Sequence, residues 1–179
     1  MVPPAPPPDP PDCEAAATWP SEGWIRTQPF PSKDIVKVSP DGELLMEKSV
    51  FDLLRDNGHL GLLYLAARDG MRPEMTGDTL HMNDVEVFSA SMAPGVFEPG
   101  DVMISLRNIN AVIVFSQEDW RLKYLSIGKV IRHHDPDFID GNTISIFDNN
   151  QLGDRKDARQ SRILVEDART GETRVVFTG

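Results

Sequence analysis

The sequence predicts an all-β fold, a partial β-propeller of four-stranded antiparallel blades, with a short helix near residues 50–57. Seven short runs between residues 84 and 177 either alternate apolar with polar residues or are apolar throughout, as strands do. These runs recur in one order. His81 and His134, which stand 53 positions apart, each precede a strand, a turn, a second strand and a hairpin. Four antiparallel strands that repeat at about 50 residues are typical of a propeller blade.

The chain divides into an arm and an incomplete propeller. Seven of the first eleven residues are proline, which predicts an extended, mostly irregular arm. The predicted domains are the arm at 1–33 and the incomplete propeller at 34–179, with a hairpin at 34–48 and blades at about 81–125 and about 134–178.

The short helix is the one element that breaks the strand pattern. Val50, Leu53 and Leu54 fall at helical spacing. Ser49 is placed to cap the helix at its start, and Gly58 is placed to end it. A helix of one or two turns is therefore expected between the hairpin and the first blade.

Composition excludes several classes of function. The net charge is −10 and no Lys/Arg run resembles a phosphate-binding surface, so no nucleic-acid partner is expected. No apolar run is long enough to cross a membrane, so no membrane insertion is expected. The N-terminus lacks the basic start and apolar core of a signal peptide. Cys13 is the single cysteine, which excludes an internal disulfide and leaves the compartment unknown.

Polar side chains bracket the first strand pair of each repeat. In a blade, the start of the first strand and the end of the second lie at the same face of the propeller. Imidazoles, a guanidinium and carboxamides there would offer donors to several oxygens of one tetrahedral anion. A histidine with a pKa of about 6.5 can also act as a nucleophile or protonate a phenolate. We therefore expect a cluster at the channel mouth that contains His81, Arg107 and Asn108 from one blade and His134, Asp148 and Asn149 from the next.

Taken as a set, the motifs resemble those of the arylsulfotransferase-like family, which includes the bacterial arylsulfate sulfotransferases. The set is H-x-N before a strand, S-x-R-N after the next, and then H-D and F-D-N in the following blade. The resemblance runs from about residue 34 to the end. It implies a six-bladed propeller that transfers a sulfuryl group from an aryl sulfate to a phenol through a sulfohistidine. It also implies that no nucleotide donor, metal or other cofactor takes part, and it suggests an exported or periplasmic location.

The resemblance carries over to individual residues. His81 and His134 match the family's first two active-site histidines, and Arg155 matches its arginine slightly better than Arg162 does. We therefore expect catalytic roles for His81, His134 and Arg155. Substrate binding is assigned to Asn83, Arg107, Asn108, Asn149 and Arg162.

The family's nucleophilic histidine lies in a later blade than those seen here. Six blades of about 50 residues need about 300 residues. The sequence is therefore expected to be a fragment that is inactive by itself, and assembly of such arcs into a ring is the alternative.

Structural interpretations stay open beside the catalytic one. His81 could bond a backbone carbonyl at a strand start, and Asp148 and Asn149 could be turn residues. We expect His133 to be a solvated neighbour of His134 without a role. A metal site is disfavoured because no pair of potential ligands has helical i, i+4 spacing. The alternative function is a non-catalytic propeller that serves as a binding or scaffold module.

Overall fold

Two four-stranded antiparallel sheets make up most of the described chain. The computed structural model describes residues 34–66, 79–151 and 160–179. The sheet that we call the first blade has the strand order β3-β4-β5-β6, with β3 at Met82–Val87, β4 at Val102–Leu106, β5 at Ala111–Phe115 and β6 at Leu122–Ile127. The second blade has the order β7-β8-β9-β10, with β7 at His134–Asp140, β8 at Thr143–Asp148, β9 at Arg162–Asp167 and β10 at Thr173–Thr178. These propeller-like blades confirm the predicted fold class.

A hairpin and a short helix precede the blades. Strands β1 (Asp34–Val38) and β2 (Leu44–Ser49) pair with each other and lead into helix α1 (Val50–Asp56). Ser49 caps this helix, because its hydroxyl accepts a hydrogen bond from the Asp52 backbone N–H at 3.4 Å. Further 3-10 turns lie at Leu60–Ala66 and Arg107–Ile109. In the part of the chain that the structure describes, no helix is long and apolar enough to cross a membrane.

The two blades repeat the same irregularity in their first strand pair. Asp84 of β3 pairs with Ser105, and Asp137 of β7 pairs with Ser145. In both blades the first strand carries one extra residue just before this pair, so the register shifts. The 53-residue spacing seen in the sequence thus relates equivalent positions in the structure.

Two apolar cores hold the blades in place. One core fills the space between hairpin, helix and first blade, where Val50, Leu53 and Leu54 pack against β4 and β5. The other lies between the two blades and includes Phe88, Phe97, Met103, Val112 and Val114 from the first blade, and Phe138, Ile144, Ile146 and Leu164 from the second. Its aromatic rings meet edge to face, with 5.1 Å between the ring centres of Phe88 and Phe138.

A buried carboxylate also joins the two blades. Glu166 on β9 is 0% exposed. It accepts hydrogen bonds from Tyr124, from Ser126 Oγ at 2.7 Å and from the Lys129 ammonium, all on the first blade or just after it. One ammonium group and two hydroxyls thus stabilise the negative charge of the Glu166 carboxylate, which is buried away from water.

Two backbone segments approach each other closely at the other side of the blade interface. The Phe97 N–H donates to the Gly141 carbonyl at 2.8 Å. A Cβ at Gly141 would lie 2.5 Å from the carbonyl carbon of Pro94 and 2.6 Å from the Ala93 carbonyl oxygen. Only glycine fits the β7–β8 turn at this point.

Candidate active site on the inner strands

The first strands of the two blades, β3 and β7, lie beside each other. Each forms one edge of its own sheet, as the innermost strand of a propeller blade does. The backbone N–H of Arg107 donates to the His81 carbonyl at 3.2 Å, and His134 pairs with Phe147 at the equivalent place. The packing of β3 against β7 therefore brings the predicted histidine motifs of both blades together.

Asn83 makes the direct link between the two motifs. Its Nδ2 atom lies 3.0 Å from the His133 carbonyl oxygen and 3.0 Å from Nδ1 of His134. A flipped amide would place its oxygen against the His133 carbonyl, so two acceptors would face each other. The amide nitrogen must therefore donate to both, and His134 Nδ1 is an acceptor. The neutral His134 ring then carries its proton on Nε2.

The environment of His134 favours this neutral form. Partial burial lowers the pKa of His134, and the nearby Arg107 guanidinium and His81 ring lower it further, while the Asp135 carboxylate opposes them. Arg107 and His81 thus lie close enough to His134 to influence its protonation. Together they place one guanidinium and two imidazoles close to one another.

Carboxylates continue along the same strands beyond the histidines. Burial raises the pKa of Asp84, Glu86 and Asp137, and the negative charges of neighbouring carboxylates, Asp135 among them, raise it further. Glu86 is also tied across the interface, because its Oε2 accepts the Phe138 N–H at 2.9 Å. These acids were not among the predicted site residues, although "NDVEVF" and "HDPDF" place them at alternating strand positions.

Asp148 and Asn149 have structural partners. They bind the segment 128–133, which we call the connecting loop because it leads from the first blade into the second. Asp148 is buried and accepts the backbone N–H of Ile131 at 2.7 Å, and the Asn149 amide donates to the Arg132 carbonyl. Asn110, which the sequence analysis did not select, accepts the Arg132 N–H at 2.9 Å. These contacts hold the loop that presents His134.

The two candidate arginines differ in what the structure shows of them. Arg162 Nε donates to Asp148 Oδ2 at 2.8 Å, so its guanidinium supports the carboxylate that holds the connecting loop. Arg155 lies outside the described residues. Asn108, assigned to substrate binding, is exposed beside Arg107, and its backbone N–H donates to the Leu80 carbonyl at 3.1 Å.

The expectation that His133 is solvated was wrong. His133 is 0% exposed, whereas His134 is partly exposed. Burial lowers the pKa of His133 to about 4, and the neighbouring His134 and Arg107 add to this, while the Asp148 carboxylate and the nearby Ala111 carbonyl oppose it. Neighbouring side chains at a strand start point in opposite directions, so only one of the two histidines can face outward.

Comparison with known proteins identifies one family. A family model described as "Arylsulfotransferase (ASST)" matches residues 14–178. No curated protein and no solved structure gives a significant match.

Proposed function

The chain belongs to the arylsulfotransferase family, and we propose that the protein transfers a sulfuryl group from an aryl sulfate to a phenol. The observation that carries this proposal is the contact between Asn83 and His134, which joins the H-x-N motif of one blade to the H-D motif of the next. Beside this contact, His81 and Arg107 lie close enough to His134 to influence its pKa, and we propose that the three side chains act as one cluster of donors.

In the proposed reaction, this cluster binds the sulfate group and the phenolic oxygen. The S–O bond to the aryl group breaks, and its electron pair leaves with the phenolate. A new S–N bond forms on a histidine that a further blade would supply, and the departing phenolate takes up a proton from that histidine. The oxygen of an acceptor phenol then bonds to sulfur as the S–N bond breaks, and the phenol's proton returns to the histidine. The Arg107 guanidinium and the Nε2–H of neutral His134 act as fixed donors to oxygens on which negative charge is held or develops. His81 is proposed as a third donor.

Neutral His134 suits this role for an electrostatic reason. Its Nδ1 atom accepts a hydrogen bond from Asn83, so its single N–H lies at Nε2 and is available to donate to the substrate. The ring's orientation is fixed before substrate arrives, and no reorganisation is needed during the reaction. Asn83 is therefore proposed to position His134, whereas Arg155 remains proposed as the family's catalytic arginine.

The test is turnover of a chromogenic aryl sulfate with a phenol acceptor, in a form of the protein that carries the further blades. His134→Ala removes one preorganised donor and should lower turnover about 100-fold. The matched control is His59→Ala, which removes a histidine that follows helix α1, outside the inner strands. That variant should keep the turnover of the unchanged protein.

Equal turnover in His134→Ala and the unchanged protein would overturn the role given to His134. A folded protein that binds aryl sulfates without turning them over would instead favour the binding-module alternative.

A further inference from the structure

Several buried polar atoms in residues that neighbour His134 share one unusual property. In the part of the chain that the structure describes, six buried side-chain atoms lack a hydrogen-bond partner. Four of the six belong to three neighbours at this site, and they are Asn83 Oδ1, Arg107 Nε and both ring nitrogens of His133. Buried polar groups are almost always satisfied by protein or by ordered water, so a cluster of four marks a place where a further partner binds.

The atoms in this cluster have complementary chemistry. Asn83 Oδ1 is an acceptor, because the amide nitrogen is committed to the His133 carbonyl and to His134. Arg107 Nε carries a hydrogen and can only donate. The Ala111 carbonyl lies near the His133 ring but makes no hydrogen bond of good geometry with it. His133, neutral at physiological pH, therefore offers one N–H and one bare nitrogen. Water, with two donors and two acceptors, can accept from Arg107 and donate to Asn83, whereas an anion could not satisfy Asn83.

We propose that His133, Arg107 and Asn83 enclose a buried water site, and that His133 is a positioning residue that acts through this water on Arg107 and His134. The inference rests on the proposed function only where turnover is concerned. Water bound there accepts a hydrogen bond from Arg107 Nε and so fixes the orientation of the guanidinium. It also satisfies the amide oxygen of Asn83, which keeps the amide nitrogen directed at His134 Nδ1.

Substitution of the His133 side chain isolates this effect. The contact from Asn83 to residue 133 is made to the backbone carbonyl, so any side chain there leaves it in place. His133→Phe fills a similar volume but cannot bind water, whereas His133→Gln keeps one donor group and one acceptor. We expect His133→Phe to lower kcat about tenfold, the scale on which outer partners tune a catalytic group in metal sites. His133→Gln should stay within about threefold of the unchanged protein.

Nuclear magnetic resonance gives a reading that does not depend on turnover. In the unchanged protein, the His133 ring protons should show magnetisation transfer from a long-lived bound water. The ¹⁵N shifts of His134 should report a single tautomer with the proton on Nε2. In His133→Phe the water signal should vanish and the His134 shifts should move toward a mixture of tautomers, while His133→Gln should keep the single tautomer.

The outcomes separate this inference from the proposed function. Bound water at His133 in a protein without sulfuryl transfer would support the water site and count against the function. An active protein with no bound water at His133, or with the same kcat and the same His134 tautomer in His133→Phe, would overturn the inference. Should His133→Phe fail to fold, the water signal in the unchanged protein and the tautomer in His133→Gln decide the matter.

Discussion

The contact that joins the blades through Glu166 can be tested by removing its carboxylate. Glu166→Ala would leave the Lys129 ammonium and the Ser126 and Tyr124 hydroxyls without the acceptor they share. Burial of the ring, and then the Glu166 carboxylate, raise the pKa of Tyr124, so the phenol is protonated and donates at all ordinary pH values.

The expected loss follows from burial. Glu166 is 0% exposed and Lys129 is partly buried, so solvent screens their attraction less than it would at the surface. Removing one partner of a buried ion pair typically costs about 3–5 kcal/mol. For a chain of this length, each kcal/mol shifts the thermal midpoint by about 2–4 °C, which gives a fall of about 6–20 °C.

The assay is thermal unfolding at pH 7, followed by circular dichroism. The matched control is Arg169→Gln, which breaks the exposed ion pair between Arg169 and Asp167 in the next turn. Surface pairs contribute little, so this control should unfold at the same temperature as the unchanged protein. If Glu166→Ala also unfolded at that temperature, the carboxylate would not be holding the blades together.

Two further predictions concern stability. Gly141→Ala should cost about 1–3 kcal/mol in urea unfolding, because its Cβ meets backbone at 2.5–2.6 Å, whereas Gly61→Ala, with nothing within 4 Å, should cost nothing measurable. Lowering the pH from about 6.5 to about 4 should destabilise the unchanged protein by up to about 3 kcal/mol relative to His133→Gln. The reason is that His133 takes up a proton in the unfolded chain, whereas in the folded protein its pKa of about 4 keeps it neutral over this range. Equal losses of unfolding free energy in the two glycine variants would contradict the first prediction. The same pH dependence of stability in His133→Gln and the unchanged protein would contradict the second.

The elements of the fold could be predicted from the sequence because each has a local signal. Alternation of apolar and polar residues marks the strands, and Ser49 and Gly58 mark the ends of the helix. The repeat from His81 to His134 marks the blades, because equivalent positions carry equivalent residues. Such signals can be recognised in a single sequence because they depend on residues that are close together along the chain.

Roles at the site were harder to predict, because they depend on the path of the connecting loop. Asn149 and Arg162 have the residue types of an anion site, yet their contacts in the structure are with the Arg132 carbonyl and with Asp148. For His133 the sequence does carry a signal, because alternation of side chains predicts that it points into the protein when its neighbour His134 faces outward.

The way in which the site is assembled links its chemistry to the packing of the blades. Asn83 belongs to the first blade, and the ring whose tautomer it fixes belongs to the second. A hydrogen bond of 3.0 Å tolerates little displacement, so His134 is held in one tautomer only while β3 and β7 keep their relative position. The apolar core, Glu166 and the close approach at Gly141 all fix that position from sites away from the histidines. Loosening the blade interface should therefore disturb His134 before the blades themselves unfold, because the hydrogen bond is lost at displacements that an apolar core still accommodates.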